Sequence, residues 1–211
     1  MATTRNTPDF EASSVGSASN VMLLAPSLGT AESRICGELM SLDRPSEENV
    51  LAVLLNDSPD DWLDEWGRTV GQERPANTSF VTAGEQTRST AADPAATDAL
   101  AGNVTIHTVS APSDLTGLGM RISKQLSGWA DGDERIVVDF DSLTTLLEYA
   151  SRESVFKFVH VLKGRIESAD AVAHYHMDPT AHADQEVSTF TSLMDAVVTV
   201  DDDGSCSVSC R

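Results

Sequence analysis

Short apolar runs that alternate with helix-patterned segments constrain this chain more than any other feature. "NVMLLA" (20–25), "NVLAVLLN" (49–56) and "RIVVDF" (135–140) are apolar at nearly every position. Such a run needs cover on both faces, which parallel sheets receive from crossover helices. "TSFVTAG", "VTIHTV" and "DAVAHYHM" are further strand candidates. Between the strands lie helical patterns. One covers residues 30–42, and "SPDDWLDEW" offers Ser58 as cap with Pro59 in the first turn. "SDLTGLGMRISKQLSGW" places Leu115, Leu118, Ile122 and Leu126 on one side behind Asp114 as N-cap. A long stretch from Ser142 breaks near Ala150 and Ser151, and "TAHADQEVSTFTSLM" is the last helix. "DAVVTVDDDGSCSVSC" reads as a closing hairpin that turns at Asp203 and Gly204. The alternation predicts an α/β fold: a three-layer αβα sandwich with a mainly parallel sheet, right-handed crossovers and a C-terminal β-hairpin. Ligands of such folds sit beyond the carboxyl ends of the strands.

The 211 residues suffice for one domain with a sizeable core. Residues 20–211 are expected to form it, with residues 1–19 as a flexible N-terminal arm. The polar, aperiodic stretch near 85–103 is expected to be an exposed loop. Acidic residues number 33 against 14 basic ones, for a formal net charge of −19, and only Lys124, Lys157 and Lys163 are lysines. This acidic, lysine-poor coat fits a salt-loaded cytoplasm, where molar salt cuts the Debye length to roughly 3 Å and screens self-repulsion. It argues against direct nucleic-acid binding, which needs a basic stripe. No run reaches the ~20 apolar residues of a membrane span, and the first residues lack the order of a signal peptide. Cys36, Cys206 and Cys210 are expected to be thiols in a cytoplasmic protein.

The loop after the first strand, "APSLGTAES", has the layout of a phosphate-binding loop. A phosphate loop wants Gly-Lys-Ser/Thr at its end. Here Gly29 is followed by Thr30 and Ala31, and Glu32 opposes a triphosphate. "RIVVDFDSLTTLL" has the form of the strand whose terminal carboxylate orients magnesium in nucleotide enzymes. Asp139 and Asp141 share a strand face, and either Asp141 or Ser142 can cap the helix that follows.

Together with "DLTGLGMRIS" and "AVAHYHMDPTAHADQEVSTFTSLMDAVV", these segments resemble a family of uncharacterised haloarchaeal proteins related to RecA/KaiC-like ATPases, with a degenerate phosphate loop. The resemblance runs over about residues 20–200. It implies a RecA-like sandwich with a vestigial nucleotide site at Ser27, Gly29, Thr30, Asp139 and Asp141. No catalytic residue is assigned and no cofactor is expected. The expected function is non-catalytic, through a protein partner or a homo-oligomer in signalling or regulation. The alternative is an ATPase with a noncanonical loop, using ATP and magnesium held by Asp139 or Asp141, with Lys124, Arg121 or Arg152 reaching in.

"HYHMDPTAHAD" gathers His174, His176 and His182, which could ligate a metal, but packing and hydrogen bonding at a strand end are the favoured reading and no metal is expected. Gly117 and Gly119 open a helix at a cost of roughly 1 kcal/mol each, which points to close packing or a ligand's approach. Trp62, Trp66 and Trp129 read as packing residues.

Overall fold

The computed structural model describes residues 3–7, 10–26, 30–84, 103–201 and 204–211. Its strands are β1 (Thr3–Thr7), β2 (Asn20–Leu24), β3 (Glu48–Leu54), β4 (Asn77–Ala83), β5 (Val104–Val109), β6 (Arg135–Asp141), β7 (Val172–Met177), β8 (Ala196–Val200) and β9 (Cys206–Cys210). They form one nine-stranded sheet in the order β1-β9-β8-β2-β7-β6-β3-β4-β5. From β8 across to β5 every neighbouring pair is parallel, and β9 and β1 add antiparallel strands at one side.

Among the described residues the helices are α1 (Thr30–Met40), α2 (Pro59–Thr69), α3 (Leu115–Trp129), α4 (Leu143–Tyr149), α5 (Arg152–Ser168) and α6 (Asp184–Thr191). Strand side chains alternate between faces. Val21, Leu23, Val50, Ala52 and Leu54 therefore pack with Ile35, Leu39, Trp62 and Trp66 from α1 and α2. Met22, Leu51, Val53, Val138 and Phe140 pack on the other face with Leu118, Ile122, Val159 and Phe190 from α3, α5 and α6. Each fully buried large aliphatic contributes about 1.5–3 kcal/mol. The three-layer α/β sandwich with a largely parallel sheet and a closing antiparallel pair is the architecture expected from the apolar runs.

The local signals act as their chemistry demands. Ser58 and Asp61 form a reciprocal capping box at the start of α2. Asp114 accepts from the Gly117 backbone N–H at 2.8 Å. Ser142, rather than Asp141, caps α4, accepting from the Thr145 backbone N–H at 3.1 Å. Ala150 is extended, and Ser151 caps α5, so the chain breaks where expected. Gly117 does not serve helix–sheet packing: a Cβ there would lie 2.3 Å from Asp114 Oδ2, so glycine leaves room for the cap itself.

Residues 1–19, expected to be a flexible arm, contribute more than that. Thr3–Thr7 pairs antiparallel with Cys206–Cys210, and Phe10 and Val15 are buried. The open edge of β9 offers backbone donors and acceptors that a neighbouring strand satisfies. The loop expected near 85–103 lies, apart from Asn103, outside the described residues, as does Asp203 of the expected turn. Gly204 adopts φ 80°, the left-handed conformation that favours glycine in a turn. Among the described residues no helix is long and apolar enough to cross a membrane.

Strand order also fixes where a ligand would sit. β2 and β3 lead into α1 and α2 on one face, whereas their neighbours β7 and β6 lead into helices on the other. Chains departing to opposite faces open a crevice at the carboxyl ends of these four strands.

Candidate functional site

Three polar side chains interrupt the apolar face beneath α1 and α2. His174 and His176, two residues apart on β7, point to the same side. Asp139 on β6 is the register partner of His174, so it faces that side too. All three are buried, with Asp139 2% and His174 1% exposed. Ala52, the partner of Asp139 on β3, leaves space beside the carboxylate. From α1 above, Cys36 brings its Sγ to 3.5 Å from His176 Nε2. From α2, Trp62 donates its indole N–H to Asp139 Oδ2 at 2.7 Å.

Asp139 Oδ1 lies 3.0 Å from His174 Nε2 and 3.6 Å from His176 Nε2. The first approach is an ion-pair contact, but Asp139 Oδ1 and both ring nitrogens of His174 make no well-formed hydrogen bond. Burial pushes Asp139 upward, yet the histidines and Trp62 outweigh it and bring the carboxyl down to about 2. Burial drives His174 below its ordinary value, against the pull of Asp139. Desolvation of the wholly enclosed His174 ring favours its neutral form, and the Trp62 N–H favours the Asp139 carboxylate.

Asp141 lies two residues on, at the end of β6. Burial, Asp139 and a hydrogen-bonded carboxyl of Asp57 raise it to about 7, against the opposing pull of His176. A cleft of about 280 Å³ opens above these groups between α1 and α2, walled by Cys36, Asp57, Asp61, Glu65, Asp141 and His176. Arg68 is the basic side chain of its lining. A larger depression of about 470 Å³ lies at the opposite, amino-terminal end of β6 and β7, walled mainly by turn residues such as Gly16, Gly132 and Asp170. The convergent polar chemistry belongs to the smaller cleft.

Of the residues singled out in the sequence, Asp139, His174 and His176 come together, and Asp141 lies on the rim. His182 does not join them. Its Nε2 lies 3.1 Å from Thr144 Oγ1 and its Nδ1 3.1 Å from Glu186 Oε2, so both ring nitrogens are used locally. Ser27 and Gly29 lie outside the described residues, and Thr30 opens α1 with its side chain outside the description. Lys124, Arg121 and Arg152 are absent from the cleft lining. Cys36 and Trp62 were missed as site residues. They lie 140 and 77 positions from their partners, and no local pattern marks them.

Fold and site together define a doubly wound α/β protein with a buried Asp/His/Cys cluster under an acidic cleft. The chain belongs to a family of unknown function, DUF7504, whose model matches residues 18–200. No curated protein matches it. Among solved structures it is similar to a Pyrococcus horikoshii OT3 protein described only as a structural study, at 13% identity and TM-score 0.55, covering 90% of this chain and 84% of that one. At that identity the likeness concerns the fold alone.

Proposed function

We propose that the chain is a RecA/KaiC-like domain that does not hydrolyse nucleotide and acts by binding a protein partner, in cytoplasmic signalling or regulation of a halophilic archaeon. The observation that carries this reading is the commitment of Asp139. A carboxylate meant for magnesium and triphosphate would face the ligand. Asp139 is instead buried at the floor of the cleft, bonded to Trp62 and set against two histidines, which leaves Asp141 on the rim as the carboxylate of the pair open to a ligand. The acidic cleft above it repels a polyphosphate, and Gly29 is followed directly by Thr30 where a phosphate loop has lysine.

The opposite face supports partner binding. α3 and α5 together carry six basic and two acidic residues, in a chain where acids outnumber bases 33 to 14. All three lysines lie on these helices. A groove of about 600 Å³ runs between them, lined by Leu115, Met120, Phe158 and Val161 with Lys157 and Arg165 at its edge. Met120 is 65% and Val161 56% exposed. The occupant that fits is an amphipathic helix with an apolar stripe and acidic flanks. A second copy docking through the same groove would oppose like charges across an isologous interface, so a different protein is favoured, and bare nucleic acid is disfavoured by the overall charge.

Two measurements test the reading. In ~2–3 M KCl, where charge is screened, Mg-ATP, Mg-ADP and Mg-GTP should leave the melting temperature unchanged and release no phosphate. A ligand at ~100 Kd would add about 2.7 kcal/mol; such a shift, abolished by Asp141→Ala, would overturn the proposal in favour of a working nucleotide site. A synthetic helix with a leucine stripe and glutamate flanks should bind the wild type. The double variant Met120→Asp, Val161→Asp should bind it at least tenfold more weakly. Equal binding by both would remove the groove from the proposal.

A further inference from the structure

We infer that Cys36, Asp139, His174 and His176 form a four-coordinate site for a thiolate-accepting divalent transition metal, zinc above all, which fastens α1 to strands β6 and β7. One ligand atom from each of the four residues lies within 4.8 Å of all the others. Bond lengths of roughly 2.0–2.3 Å to nitrogen, oxygen and sulfur in a tetrahedron put neighbouring ligand atoms roughly 3.3–3.8 Å apart. Three of the six separations lie near that spacing, 3.5 Å between Cys36 Sγ and His176 Nε2, 3.6 Å between His176 Nε2 and Asp139 Oδ1, and 3.0 Å between His174 Nε2 and Asp139 Oδ1, and the others are within 4.8 Å.

A second observation points to an ion independently of residue type. Asp139 Oδ1 and both ring nitrogens of His174 are buried without a hydrogen bond. Polar groups left this way are costly, and a cation bound to Asp139 Oδ1 and one imidazole nitrogen would satisfy two of them. The indole N–H of Trp62 holds the other carboxylate oxygen. It turns Oδ1 toward the histidines, as outer groups do around metal ligands.

The donor set selects the metal. One sulfur, two imidazoles and one carboxylate suit zinc and disfavour calcium or magnesium, which want six or more oxygens or several waters. Four protein ligands in a buried setting make a closed, structural centre, not one with an open position for water. Cys36, Asp139 and His176 also line the cleft, which gives the ion a path in. This site is independent of the proposed partner groove, and either can fail alone.

Cobalt(II) titration of the full chain tests the site, after chelator treatment in molar KCl. Expected are one equivalent bound, intense d–d bands of tetrahedral cobalt, a thiolate-to-cobalt charge-transfer band, and displacement by one equivalent of zinc. Cys36→Ser should abolish the charge-transfer band, and His174→Gln should weaken binding by at least tenfold. Cys206→Ser should change neither. Octahedral spectra, absence of the thiolate band in the wild type, or equal affinity in the His174→Gln variant would overturn the inference. The wild-type spectrum decides alone should a variant fail to fold.

Discussion

Trp62 joins the two halves of the site, because its ring packs in the core while its N–H satisfies a buried carboxylate. The ring stands edge-on to Phe80, centroids 5.3 Å apart, and the indole donates to Asp139. Trp62→Phe keeps most of the packing and leaves Asp139 Oδ2 without its donor. The expected cost is about 1–3 kcal/mol, read from denaturant unfolding in molar KCl; an unchanged midpoint would show that the hydrogen bond is dispensable. Glu48 is the other buried acid with a structural duty. It accepts from the Ser41 hydroxyl at 2.7 Å and from the Leu42 and Asp43 backbone N–H groups at 2.8 Å, closing the turn between α1 and β3. Burial still raises it above its ordinary 4.5. The folded chain therefore keeps this proton to higher pH than the unfolded chain, so ionisation costs stability as pH rises from about 4.5 through the folded value. The wild type should lose stability relative to Glu48→Gln across that window and run parallel to it above. A difference independent of pH would contradict this account.

At the scale of elements, α3 separates two glycines that look alike in sequence. Gly117 must stay small because the capping carboxylate of Asp114 fills the space where its Cβ would be. Gly119 has no such constraint: a Cβ would meet Phe158 at 3.6 Å, an ordinary contact. Gly117→Ala should therefore cost about 1–2 kcal/mol by displacing the cap. Gly119→Ala should gain about 0.5–1 kcal/mol from helix propensity. Thermal melts of the two variants should move in opposite directions, and shifts of the same sign would contradict the assignment. The joint between α4 and α5 rests on Ser151, whose hydroxyl accepts from the Ser154 backbone N–H at 3.3 Å. At that distance the cap sits at the low end of its usual worth.

Charge is distributed unevenly: α3 and α5 carry six basic and two acidic residues, in a chain with 33 acidic and 14 basic residues. A formal net charge of −19 on 211 residues repels itself in dilute buffer. Stability should rise steadily from ~0.1 M to ~2 M KCl as the Debye length falls from about 10 Å toward 3 Å. Unfolding free energy measured against KCl would check this, and a flat or falling curve would show that the acidic coat has no such role.

Much of this architecture was legible in the chain itself. Runs such as "VLAVLL" cannot be half-exposed, so they called for a parallel sheet covered on both sides. Ser58 and Asp114 marked helix starts through hydrogen bonds that need only three or four residues, Asp141 and Ser142 stood as alternative caps, and a break was legible near Ala150 and Ser151. The shared face of His174 and His176 followed from the two-residue period of a strand. These are local consequences of backbone geometry, and sequence determines them alone. The tertiary structure decided the rest. Only the strand order β2-β7-β6-β3 sets Asp139 beside His174, brings Cys36 and Trp62 down from the covering helices, and leaves His182 to Thr144 and Glu186. Contacts between residues this far apart depend on which strands neighbour one another, and periodicity carries no record of that order.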